Sequence, residues 1–124
     1  MIQTVRDVML PDPLTIDAKT SIGAAAQLMR TENVEDVLVT DNGQLCGLLT
    51  DSDIVVFAIA AGRHPDTVYA GECCNPELTA LEPDDTTERA AELMRDYDVD
   101  RLPVVAEGRV VGTVSFGDVD RARA

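Results

Sequence analysis

The sequence predicts an α+β protein built from two β-α-β-β-α units related by an approximate two-fold axis. Three observations carry this reading. The chain matches itself without gaps at an offset of 65 residues, pairing residues 5–54 with 70–119. Within each copy the apolar period switches between helical and strand spacing. A length of 124 residues suffices for one compact domain or for two very small units sharing a core, and excludes a multidomain enzyme. The repeat keeps Pro11/Pro76, Ala25/Ala90, Ala26/Ala91, Leu28/Leu93, Met29/Met94, Arg30/Arg95, Val34/Val99, Val39/Val104, Gly43/Gly108, Gly47/Gly112 and Asp53/Asp118. Two copies are too few for a solenoid, so each is expected to cover the apolar face of the other.

In each copy a brief entering strand comes first, Leu14 to Ile16 and then Leu78 to Leu81. Thr20 and Asp85 follow as candidate N-caps, Asp85 with Glu88 three residues on in a capping-box pattern. Ile22, Ala25, Ala26, Leu28 and Met29, and in the second copy Ala90, Ala91, Leu93 and Met94, fall on one helical face and are expected in the core. Two strands then form a hairpin: 37–40 with 45–49, and 102–105 with 110–114. Their turns, Asp41-Asn42-Gly43 and Ala106-Glu107-Gly108, carry Gly at the third position. A second helix closes each copy, 51–61 stopping at Gly62 and 117–123 running to the last residues. Residues 62–67, rich in turn formers, form the connector. The domain division is therefore 1–62 for the first repeat and 63–124 for connector and second repeat.

With 45% hydrophobic and 27% charged residues, the composition is that of a folded soluble protein. Its longest apolar run, Ile54 to Ala61, is too short to span a membrane. Ten basic against 23 acidic residues leave a net charge of −13, spread evenly with −6 over residues 1–62 and −7 over 63–124. Nucleic acids and anionic membrane surfaces need clustered Lys and Arg, so neither is an expected partner. Small ligands and proteins remain. Three cysteines form no spaced framework and no apolar leader opens the chain, so the expected compartment is the cytoplasm.

The most informative segments are Gly47-Leu48-Leu49-Thr50-Asp51-Ser52-Asp53 and Gly112-Thr113-Val114-Ser115-Phe116-Gly117-Asp118. Each ends a strand and begins a helix, with a hydroxyl followed three residues later by a carboxylate. Backbone N–H groups are unpaired there and the helix dipole favours negative charge, so the corner can hold a phosphate while the carboxylate accepts from a ribose diol. The same spacing is that of a capping box, which needs no ligand. Its retention in both copies favours a function beyond capping.

Together with Val5-Arg6-Asp7-Val8-Met9, Ala24-Ala25-Ala26-Gln27-Leu28-Met29 and Arg101-Leu102-Pro103-Val104-Val105, these segments resemble a tandem CBS-domain protein, the Bateman module, of the short stand-alone bacterial type. The resemblance covers essentially the whole chain. It implies two sheets facing each other, clefts between the repeats, dimers of modules, and adenosine-containing ligands: AMP, ADP, ATP, NAD or S-adenosylmethionine. By the same resemblance Asp53 and Asp118 match the ribose-binding Asp, and Thr50 and Ser115 the phosphate-side hydroxyls. Thr15, Ile16, Ala80 and Leu81 border the base, and Val37, Val39, Leu102 and Val104 lie on the strand whose backbone can read adenine. Ser52 stands where many relatives carry Arg. Cations for a phosphate are few, Arg101 first among them with Arg109 and Arg63, which favours a monophosphate or an uncharged tail over ATP.

Nothing else assembles a catalytic set, so the expected role is a non-enzymatic sensor that requires no cofactor and no metal, holds an adenine nucleotide or S-adenosylmethionine, and signals in trans to an effector protein. A structural scaffold with empty clefts is the rival. His64 reads as a solvated loop residue and Cys73 and Cys74 as thiols at a helix start; a metal site of these three is the minor alternative. The segment from Ile54 to Ala61 has no polar face, which in so small a domain predicts that one side packs on its own core and the other on a second subunit.

Overall fold

A computed structural model describes residues 3–11 and 13–123. In chain order the elements are α1 (Val5–Val8), β1 (Leu10–Pro11), β2 (Thr15–Asp17), α2 (Ile22–Glu32), β3 (Asp36–Asp41), β4 (Gln44–Thr50), α3 (Asp51–Ile54) continued by a π-helical turn (Val55–Ile59), α4 (Ala70–Cys73), α5 (Thr87–Asp96), β5 (Arg101–Ala106), β6 (Arg109–Ser115) and α6 (Phe116–Arg123). They form two compact units, Leu14–Leu78 and a second made of Met1–Pro13 with Thr79–Ala124. The sequence period and the compact units are thus different partitions of the chain, since each unit takes the opening segment that precedes the other repeat.

In the unit Leu14–Leu78, β3 is central, parallel to β2 and antiparallel to β4. Asn75 adds a single bridge to Leu48 on the far side of β4. Helix α2 buries Ile22, Ala25 and Met29 against Ile16, Val37, Val39, Leu49, Ala58, Val68 and Cys73. Ala26 and Leu28 are only half-buried. In the second unit β6 is central, antiparallel to β1 and β5, and α5 buries Ala90, Ala91, Leu93 and Met94 against Val5, Leu81, Leu102, Val104, Val114 and Val119. Burying such side chains contributes about 1.5–3 kcal/mol each, which is what holds a small unit without aromatic core residues together.

Several elements depart from the sequence reading. The helix caps are Ser21 and Thr86, whose hydroxyls accept from Ala24 N and Arg89 N, one residue beyond Thr20 and Asp85. Asp85 instead accepts from Glu82 N, closing the turn before the helix. The expected entering strand at 78–81 is a single parallel bridge, Leu81 to Val104, because Pro83 and Pro103 leave few amide donors to extend it. The helix over 51–61 is not regular: after one α turn it widens into the π turn, in which Ala60 N donates to Val55 O. The short helix α1, unassigned from sequence, buries Val5, and the short helix α4 buries Ala70 and Cys73. In both hairpins the register shifts after Val39 and Val104, leaving Cys46 and Val111 without an opposite residue.

Candidate functional site

The paired corners form as the spacing dictates. Thr50 ends β4 and caps α3: its Oγ1 accepts from Asp53 N at 3.1 Å, and its own N–H donates to Asp53 Oδ2 at 3.0 Å. Ser115 and Asp118 repeat the exchange between β6 and α6, with both bonds at 3.2 Å. One further amide is tied in each corner, Asp51 N to Glu35 O and Phe116 N to Asp100 O. Both aspartates are half-buried and each holds its carboxylate at the mouth of a strand-to-helix turn. Each corner is therefore a closed capping box. The ligand-facing function and the structural one use the same two side chains.

The second corner carries more charge. Arg121 Nη2 donates to Asp118 Oδ1 at 2.6 Å, and Arg101 is the cross-strand partner of Ser115. Burial alone would raise the Asp118 carboxyl; the hydrogen bonds from Ser115 and the guanidinium groups of Arg121 and Arg101 outweigh it and hold the group below the usual carboxylate range. A cavity of about 320 Å³ lies beside this corner, lined by Gln3, Val8, Asp118, Arg121 and Ala122. The sequence reading did not include Arg121 among the cations near a phosphate. Its position three residues after Asp118, one helical turn on, was the available signal.

The other candidate residues lie along the sheets. Ile16, Val37, Val39, Leu81, Leu102 and Val104 all have buried side chains, so their polar contribution is confined to backbone groups. Of these groups, Pro103 O accepts from Leu81 N and Val105 N donates to Leu81 O. Thr15 is half-buried on β2 opposite Leu38, and Ala80 and Arg101 are exposed.

The cysteines and His64 do not converge. Among the described residues no group of three or more His, Cys, Asp or Glu side chains is placed to hold a metal ion. Cys73 ends α4 and is buried, and Cys74 caps it, so neither thiol stands at a helix start as expected. Burial raises the pKa of Cys46, Cys73 and Cys74, keeping them as protonated, poorly nucleophilic thiols. His64 is exposed, and its Nδ1 accepts from Asp66 N.

A doubled β-α-β-β-α unit with a hydroxyl–aspartate corner in each copy defines a class of tandem small-domain proteins, and comparison with known proteins gives the class its family. The CBS domain pattern matches residues 5–59 and 70–124, and the chain belongs to the CBS domain family. It is 35% identical over 116 residues to the CBS domain-containing protein YhcV of Bacillus subtilis, covering 94% of this chain and 82% of that protein. Among solved structures, Hypoxic Response Protein I with two coordinated zinc ions superposes with a TM-score of 0.86 at 31% identity, over 98% of this chain and 99% of that one. CBSX2 in complex with AMP gives 0.81 at 26% identity, over 98% and 96%. The CBS domain pair of protein MJ0100, in complex with 5-methylthioadenosine and S-adenosyl-L-methionine, gives 0.75 at 27%, over 99% and 97%. Among the described residues no helix is long and apolar enough to cross a membrane.

Proposed function

We propose that this chain is a non-enzymatic sensor that binds an adenosine-containing ligand, AMP-like, NAD or S-adenosylmethionine, at its hydroxyl–aspartate corners and signals in trans to an effector protein. The observation that carries the reading is the doubled corner, with Asp118 beside a cavity of about 320 Å³. The AMP complex of CBSX2 and the methylthioadenosine and S-adenosylmethionine complexes of MJ0100, both on the same fold, support the ligand class. Asp53 and Asp118 receive the ribose diol, Thr50 and Ser115 face the phosphoryl or other tail, and Thr15, Ile16, Ala80, Leu81, Val37, Val39, Leu102 and Val104 supply the apolar wall and backbone groups at the base. The protein works in the cytoplasm, as a homodimer through the helix from Ile54 to Ala61.

The capping boxes favour a second reading, a scaffold in which Thr50, Asp53, Ser115 and Asp118 only terminate strands and start helices. Because each aspartate closes a capping box by accepting from the backbone N–H of Thr50 or Ser115, replacement by alanine costs stability in either case, about 1 kcal/mol. Asp53→Asn and Asp118→Asn separate the two readings. The amide oxygen still accepts the Thr50 or Ser115 N–H, but the charge and one acceptor are lost. In a sensor these variants keep their thermal stability and bind AMP at least about tenfold more weakly by titration calorimetry. Wild-type protein that binds neither AMP, NAD nor S-adenosylmethionine leaves only the scaffold.

A further inference from the structure

The two corners share a backbone but not a charge. At the 65-residue offset, Arg101 corresponds to Asp36, Arg121 to Val56 and Phe116 to Asp51. Asp36 pairs across the strands with Thr50 just as Arg101 pairs with Ser115. The first corner thus carries the carboxylates Asp36, Asp51 and Asp53 where the second has one carboxylate, Asp118, between two guanidinium groups. The remaining acids do not reverse this contrast. Asp100 has its counterpart in Glu35, and Asp120, two residues past Asp118, lies on another face of α6.

Arg121 and Asp118 are bonded to each other and line the same cavity. A ribose diol donating to Asp118 competes with that guanidinium for Oδ1. When the ligand's tail is uncharged, the displaced guanidinium gains no new partner. When the tail is a phosphoryl group, the guanidinium transfers from one anion to another and can meet it with two parallel N–H bonds. We infer that Arg121, assisted by Arg101, makes the second corner selective for an adenosine ligand bearing an anionic phosphoryl group over the same nucleoside without one. This inference rests on the adenosine-binding reading above and names the ligand chemistry of one of its two sites.

The test is titration calorimetry with AMP and with adenosine, in an Asp53→Asn background that weakens the first corner. The parent is expected to bind AMP about tenfold or more tightly than adenosine, a preference that shrinks as sodium chloride is raised. Arg121→Gln is expected to bring AMP binding down to the level of adenosine while leaving adenosine binding equal or slightly stronger. Arg121→Lys, a point charge without the planar fork, retains part of the preference. Circular dichroism monitors folding, and Arg101→Gln supplies the same ratio should Arg121→Gln unfold. An AMP-to-adenosine ratio unchanged in both variants overturns the role of the arginines and leaves the adenosine reading standing. Absence of binding by either compound to the wild-type protein overturns that reading and this inference together.

Discussion

Asn42 and Glu107 occupy the same place in the two hairpins, and both hold positive φ, 53° in each case, followed by Gly43 and Gly108 at 85° and 81°. Two successive left-handed residues make the tight turn that matches strand twist. Asparagine tolerates this region better than most side chains, whereas glutamate has no local hydrogen bond to offset the crowding of its Cβ. Glu107→Asn is therefore expected to stabilise the protein by about 0.5–1 kcal/mol, seen as a rise in melting temperature without change in fold. No rise, or a fall, would show that Glu107 contributes elsewhere. The hairpins were legible in the sequence because glycine at the third turn position is a local requirement. The aspartates were less so: a hydroxyl-x-x-Asp pattern reads equally as a cap and as a ribose site, and the structure shows the cap fully formed.

At the level of elements, the two repeats are copies in sequence and less alike in detail. The second lacks a regular entering strand, and among the described residues only the first has a π turn, along which Val55, Val56, Phe57 and Ile59 are exposed while Ala58 is buried. One close contact between elements is glycine-dependent. A Cβ on Gly112 would lie 2.7 Å from Leu10 O and 2.8 Å from Met9 Sδ. Only a residue without Cβ lets β1 lie against β6 at that point. Gly112→Ala is expected to destabilise the protein by about 1–3 kcal/mol in chemical denaturation, the ordinary cost of overpacking, and to disturb the pairing of Leu10 with Thr113. A neutral effect would mean that the opening segment can yield. That contact was invisible in the sequence, where the two residues stand about a hundred positions apart.

For the whole molecule, the charge of −13 opposes self-association everywhere except on uncharged surface. The stretch from Ile54 to Ala61 is such a surface: Val55, Val56, Phe57 and Ile59 are 55%, 56%, 48% and 62% exposed in the single chain. Apolar side chains massed on one helix favour burial against a second copy. The wild-type protein is expected to sediment as a dimer at micromolar concentration, and Val56→Asp as a monomer with its fold intact. A monomeric wild type removes the dimer from the proposal.

The repeat was readable because whole segments recur at one fixed offset of 65 residues, and the α+β class, the core faces of α2 and α5 and the twin corners because each depends on spacing within a dozen residues: helical period, strand period, a cap and a turn. What the tertiary structure decided is which distant segments meet. It gave Met1–Pro13 to the unit formed by Thr79–Ala124 and placed a cavity beside Asp118 lined by residues from both ends of the chain. Such choices turn on which backbone fits over a bare glycine and which distant segments line one cavity, and these are distances between elements, which no local pattern encodes.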